Sequence, residues 1–332
     1  MTDSTYEIEN AVLIGEHEEL YLAAGAHSIL KFATGELTVP EQSVRNFWQN
    51  LRERAAFCAR QGRGFLQMVA PEKYKVHPEG FPVENPKSFW DAFTAAEGAT
   101  VENMWYGAQD LRDNPFGRSY YKTDTHWTAA GMMLATRRIA ETAGFSEVEL
   151  SALSEKMQAQ TQPLDKLFYG DLGRKLEPQQ GEEALWPRRA PSVTSEENGL
   201  AHDYDKPVND GRMVVSYNPD SVTDKTLLIF GDSYLFNGLA YVELGFRNMV
   251  FCRTRFFHRE MVAMVQPDMV VCEAAERYTR VVSRDVKAPP FLLLPYVLDR
   301  EPKMSPKQAA FISKILSNKR RPDFSEYKVD LD

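Results

Sequence analysis

The sequence predicts a three-layer α/β/α fold built on a mostly parallel sheet. Two observations carry that expectation. Short apolar runs such as Gly64 to Ala70 and Thr226 to Phe230 alternate with helical patterns of about a dozen residues, an order that leads to parallel strands with helices on both faces. The 332 residues, 43% hydrophobic and 26% charged, can furnish one large core or two modest ones.

Each element has a local cause. Ala11 to Leu22 reads as two short strands around a Gly15 to Glu19 turn, because apolar runs flank a polar cluster containing glycine. Between Pro40 and Gly62, residues Val44, Trp48, Leu51, Ala55 and Cys58 recur at spacings of four, three, four and three, which is one face of a helix. Gly64 to Ala70 is a buried strand ended by Pro71. A helix near Lys87 to Glu97, a short strand at Val101 to Trp105 and a loop from Asp113 to Thr125 follow. Thr128 to Thr142 is a helix with a threonine at its mouth and Gly144 behind it.

Residues 147–218 are the least regular part and read as a polar insertion or lid. Order returns with a strand at Thr226 to Phe230, the turn Gly231-Asp232-Ser233, a helix at Tyr234 to Gly245 and a strand at Asn248 to Cys252. A helix at His258 to Val265 and a strand at Asp268 to Cys272 complete the pattern.

Composition excludes several function classes. A formal charge of -8 and the lack of a basic stripe argue against nucleic-acid binding. Neither a G-x-G-x-x-G nor a Walker loop appears, and no histidine stands at metal-ligand spacing, so no cofactor and no metal are expected. Cys58, Cys252 and Cys272 lie far apart in apolar contexts and read as buried thiols. The longest apolar run, Pro289 to Leu298, is too short for a bilayer core, which needs about 20 residues. The first residues carry acids where an export signal needs a positive segment, so the expected location is cytoplasmic, or periplasmic if a leader was removed.

Two segments could do chemistry. Gly231-Asp232-Ser233 follows a strand and opens a helix, so the glycine permits the turn, the Ser233 hydroxyl emerges at the sheet edge, and its N–H can meet an oxyanion. In Asp124-Thr-His126, residues two apart in an extended loop share a side, which lets Asp124 hold one ring nitrogen while the other faces a nucleophile. A serine needs such an imidazole to take its proton and a carboxylate to fix the tautomer. Asn237, Arg253, Arg255 and Tyr234 are secondary candidates for oxyanion or substrate contacts, and Trp127 for lining a sugar site. The bland alternatives are a helix cap at the GDS turn and an exposed Asp-x-His pair.

Thr123-Asp-Thr-His-Trp127 followed by a helix, with Gly231-Asp-Ser-Tyr234 about a hundred residues later, resembles the SGNH hydrolase-like domain of the alginate O-acetyltransferase family, whose motif order is permuted relative to ordinary GDSL esterases. The hairpin Ile14 to Leu22, the segment with Pro71, Lys73 and Pro78, and Cys272 to Tyr278 extend the likeness. The resemblance implies an SGNH-like catalytic domain at 8–285 with the insertion 147–218, and a C-terminal extension at 286–332.

It further implies acyl transfer, usually of acetyl, to a polysaccharide or oligosaccharide hydroxyl through an acyl-serine. Ser233 would be the nucleophile, His126 the base and then the acid, and Asp124 the orienting carboxylate. The acyl donor would be a small molecule or a membrane acyltransferase partner. Alternatives are a carbohydrate esterase or deacetylase of the same fold, a non-catalytic carbohydrate-binding or scaffold protein, and a metal-dependent hydrolase using Asp124, His126 and Asp232.

Overall fold

A computed structural model of the chain describes residues 6–25, 27–97, 102–200 and 210–316. It opens with a three-stranded antiparallel meander of β1 (Ile8–Glu9), β2 (Val12–Ile14) and β3 (Leu20–Leu22). β4 (Gly64–Ala70) and β5 (Met104–Tyr106) follow. Next comes a small hairpin of β6 (Thr161–Pro163) and β7 (Leu185–Pro187). Then come β8 (Thr194–Glu197), β9 (Met213–Tyr217), β10 (Thr223–Gly231), β11 (Phe246–Arg253) and β12 (Met269–Ala275).

Seven of these strands form the central sheet in the order β5-β4-β12-β10-β11-β9-β8. The run from β5 to β11 is parallel, and β9 and β8 extend it in antiparallel pairing. Both faces of the sheet are buried, as parallel strands require. Along β10, Leu228 and Phe230 face the helices Glu41–Arg60 and Arg259–Val265, while Leu227 and Ile229 face the helices Ala129–Thr142 and Leu239–Gly245. The three layers expected from the alternation of strands and helices are present.

The helix Glu41–Arg60 buries Val44, Trp48, Leu51 and Cys58 on one face, with Ala55 partly buried beside them. All three thiols are buried, and burial pushes Cys58 and Cys272 up to about 12, which leaves them unreactive.

Several elements differ from the sequence expectation. The short strand is Met104–Tyr106, and Val101 lies outside the described residues. The single helix expected after Ser233 is two, Ser233–Asn237 and Leu239–Gly245, which meet at Gly238. Residues 147–218 begin with a regular helix, Glu147–Ala159, opened by a capping box between Ser146 and Glu149. The same stretch contributes β8 and β9 to the central sheet; residues 201–209 within it lie outside the description, as do 317–332 of the C-terminal segment. The helix Pro306–Leu316 packs on β8 and β9. No helix among the described residues is long and apolar enough to cross a membrane.

Candidate active site

Ser233 sits where parallel sheets gather their chemistry, at the carboxyl end of a central strand. β10 ends at Gly231, Asp232 turns the chain, and Ser233 opens the helix Ser233–Asn237. The turn is bolted to its neighbour: Asp232 Oδ1 accepts from Tyr234 N at 2.9 Å, and Oδ2 accepts from Ala275 N, at the end of β12, at 2.7 Å. Asp232 N in turn donates to Glu273 Oε2 at 2.9 Å. A side chain at Gly231 would press on that same oxygen, 3.0 Å from where its Cβ would stand. Burial, reinforced by the charge of Asp232, holds the Glu273 carboxyl well above the usual carboxylate range.

The imidazole arrives from the loop before the helix Ala129–Thr142, whose first turn is capped by the Thr128 hydroxyl. His126 Nδ1 lies 2.6 Å from Asp124 Oδ1, and His126 Nε2 lies 2.8 Å from Ser233 Oγ. With Nδ1–H donating to Asp124, Nε2 is left to accept from the Ser233 hydroxyl. Burial works against the charge of Asp124, but His126 and the N–H groups of Asp171 and His126 outweigh it and hold this carboxyl well below the usual range. Burial likewise disfavours a charged His126, and the adjacent Asp124 more than compensates, so the imidazole sits above its ordinary value.

This loop is held from three sides. Within residues 160–187, Asp171 N donates to Asp124 Oδ2 at 2.7 Å, while the Asp171 carboxylate accepts from Thr125 N at 2.8 Å and Thr125 Oγ1 at 2.7 Å. Glu182 accepts from Lys122 N, Thr123 N and Thr123 Oγ1. Gly170 lies so close that any Cβ there would collide with Thr123 O and Asp124 Cβ. From the meander, Leu20 N donates to Lys122 O, which also accepts from the buried Lys73. Beneath the loop, Tyr234 Oη donates to Thr125 O at 2.6 Å, and Arg277 spans Tyr234 and Glu72.

A cavity of about 540 Å³ opens above Ser233 and His126. The comparison of this chain with protein families decides its kinship. The model described as "SGNH hydrolase-like domain, acetyltransferase AlgX" matches residues 31–207, more than half of the chain.

The chain belongs to that family.

Asp124 and His126 fall inside the matched segment, and Ser233 lies beyond it. No curated protein matches. Among solved structures, a DHHW family protein from Eubacterium siraeum is 14% identical, with 83% of this chain and 94% of that one covered at a TM-score of 0.54. Bacillus cereus PatB1 with a sulfonyl adduct is 14% identical over 81% of this chain and 97% of its own, at a TM-score of 0.52. The O-acetyltransferase domain of Pseudomonas putida AlgJ is 15% identical over 87% and 100%, at a TM-score of 0.48.

The SGNH-like domain brings Asp124, His126 and Ser233 together and puts Asn237 and Arg253 on the cavity wall. Three secondary candidates are displaced from it. Arg255, two residues past the strand end, lines a separate cavity with Arg54 and Gln67. Tyr234 is buried, with its hydroxyl occupied by Thr125 O, so it supports the loop. Trp127 is wholly buried against Tyr234 and Trp105 and cannot touch a sugar.

Other lining residues went unforeseen: Tyr121, Phe168, Asp171, Arg174, Trp186, Arg212 and Phe236. Gly170-Asp-Leu-Gly173 held a usable signal, an acid between two glycines in a polar stretch. Asp124, His126 and Asp171 bring three donor atoms within 4.8 Å of one another. Each is engaged by a hydrogen-bond partner: Asp124 Oδ1 by His126 Nδ1, His126 Nε2 by Ser233 Oγ, and the Asp171 carboxylate by Thr125. The oxygens of Asp232 point back to Tyr234 N and Ala275 N, which removes it from a metal-hydrolase site.

Proposed function

We propose that this protein is an O-acetyltransferase that carries an acetyl group on Ser233 and delivers it to a hydroxyl of a polysaccharide or oligosaccharide. The observation that carries the reading is the continuous contact from Asp124 through His126 to Ser233, 2.6 and 2.8 Å long, at the floor of an open cavity. Membership of an acetyltransferase family supports the choice of acyl group.

In the first half-reaction Ser233 Oγ attacks the donor's acetyl carbonyl while its proton passes to His126 Nε2. Asp124 stabilises the imidazolium. The negative charge that develops on the carbonyl oxygen meets the Ser233 N–H, in the first helical turn where no intrahelical acceptor exists, and the positive potential of Arg253. Collapse breaks the bond to the leaving group, which takes the proton from His126 and leaves acetyl-Ser233. In the second half-reaction the acceptor hydroxyl gives its proton to His126 as its oxygen attacks the ester, and Ser233 leaves with that proton.

Transfer and hydrolysis differ only in whether a sugar hydroxyl or water makes the second attack. A chromogenic acetyl ester, incubated with and without oligosaccharide, separates them: acetylated sugar is the expected product, and acetate alone in both cases would replace this reading with that of an esterase. A sulfonyl fluoride is expected to label Ser233, in line with the sulfonyl adduct of PatB1.

A further inference from the structure

We propose that Phe168 and Trp186 form the platform on which a sugar ring of the acceptor stacks, next to acetyl-Ser233. The inference rests on the acetyltransferase reading and adds to it the place and the chemistry of acceptor recognition.

Both side chains line the same cavity as His126 and Ser233, and both are half-buried, leaving ring surface open. Their centroids are 5.8 Å apart. Tyr121, buried and lining the same cavity, packs against both at 4.6 Å from Phe168 and 6.3 Å from Trp186, nearly parallel to the latter, and its hydroxyl donates to Leu185 O.

The platform is also indexed to the reacting groups. Phe168 pairs through both backbone bonds with Glu182, and the Glu182 side chain grips Lys122 and Thr123, just before Asp124. One residue therefore fixes the height of the platform relative to His126.

The same cavity is lined by donors, among them Arg174, Arg253 and Asn237. The two rings are tilted by 39° to each other, so each offers its own face, and an apolar lining with a few convergent polar groups is the usual form of a small-ligand site. Sugars suit it, because a pyranose presents a face of C–H groups to the electron-rich face of an aromatic ring while its hydroxyls reach the donors. Stacking of this kind is indifferent to the charge of the sugar, whereas the arginines are not.

The test uses the full chain, a chromogenic acetyl ester as donor, and two acceptor probes, cellohexaose and an alginate hexasaccharide. At a fixed subsaturating acceptor concentration, the share of acetyl groups passing to sugar rather than water is measured, together with calorimetric binding of each oligosaccharide. Trp186→Ala is expected to lower the transferred share and the affinity about tenfold for both probes, equivalent to about 1.4 kcal/mol. Trp186→Phe is expected to restore most of the loss, and Trp186→Leu, which keeps apolar bulk without a planar face, is not. Arg253→Gln should weaken binding of the acidic probe more than that of the neutral one.

Because the share is counted per acetyl group released, it is independent of how fast acetyl-Ser233 forms. An unchanged share and affinity in Trp186→Ala, full activity of Trp186→Leu, or absence of binding of either probe to the unaltered protein would overturn the platform. Failure of the ester to turn over, with Trp186-dependent sugar binding intact, would instead overturn the Ser233 reading.

Discussion

Ser233 and His126 stand 2.8 Å apart, yet the protein fixes them by different means. Ser233 is presented by the sheet: β10 is paired on both sides, its turn is bonded to the end of β12, and the residues beneath are fully buried. His126 is presented by a loop with almost no ladder of its own, held by carboxylates reaching across from Asp171 and Glu182 and by the close seat of Gly170. The nucleophile thus inherits the stability of the core, while the base depends on a surface segment. Local opening of such segments costs far less than global unfolding. Damage to residues 160–187 should therefore disable the base while leaving the nucleophile in place.

The largest effect expected is from Ser233→Ala, which removes the group that both halves serve. Acetyl-ester turnover should fall on the order of 10³- to 10⁶-fold, with the thermal midpoint little changed. Initial rates with the chromogenic ester check this, and substantial residual turnover would mean that the sheet-borne half is not the reacting one.

Asp124→Asn probes the link between the halves. The expected loss is about 10²- to 10⁴-fold, because the imidazole loses both its tautomer and its counter-charge. A pH–rate profile sharpens the point. His126 must be neutral to accept the serine proton, so activity falls as the pH drops through its pKa. Asp124 raises that pKa above the ordinary value of about 6.5, which places the acid limb above that pH. In the variant the limb should move to lower pH.

Substitutions at residues 170 and 171 break the comparison at its weaker side. Gly170→Ala forces the segment off Thr123 and Asp124 and should cost about 10- to 100-fold in kcat through the misplaced base. Asp171→Asn keeps the backbone N–H that bonds Asp124 and one acceptor for Thr125, so its loss should be several-fold smaller. It nevertheless removes a negative charge that favours the charged His126, against the opposing Arg277, and should shift the acid limb downward. A full rate loss without a shift in the limb would assign Asp171 a packing role alone. Sulfonyl labelling of Ser233 should decline in parallel with the ester rate in both variants.

The smallest effect concerns the sheet-borne half. Glu273 has a raised carboxyl pKa in the folded state, so between the ordinary value of about 4.3 and that raised value the folded protein binds more protons than the unfolded chain. Stability from this group therefore falls as the pH rises through that window. Glu273→Gln, near in shape and always neutral, should remove the slope. Thermal midpoints measured from pH 4 upward should show the variant gaining on the parent as the pH increases, and parallel curves would contradict a proton held on Glu273.

The same contrast explains how much was legible beforehand. Strand, turn and serine are local: an apolar run, a glycine and a capping pair fall within Thr226 to Ser233 and announce themselves. Asp124-x-His126 was legible for the same reason. The supports of the loop were not, because Asp171 and Glu182 act on backbone N–H groups 46 to 60 residues away, and a backbone donor leaves no mark in a side-chain pattern. Strand β8 was hidden by the polar content of Thr194–Glu197, which forms the last strand of the sheet and is only partly buried, whereas the apolar run of β9 was passed over at the end of the polar stretch. Arg253 and Arg255 show the limit of spacing arguments. Two residues apart after one strand, they face different cavities.

The central claim is that the acetyl group rests covalently on Ser233 under the control of His126. Rapid quenching with a chromogenic acetyl ester, followed by peptide mass spectrometry, tests it most directly. The account predicts one added acetyl group on the peptide containing Ser233, formed far more slowly in His126→Ala and absent in Ser233→Ala. An acetyl group lodged on another residue, or undiminished turnover without the Ser233 hydroxyl, would contradict it.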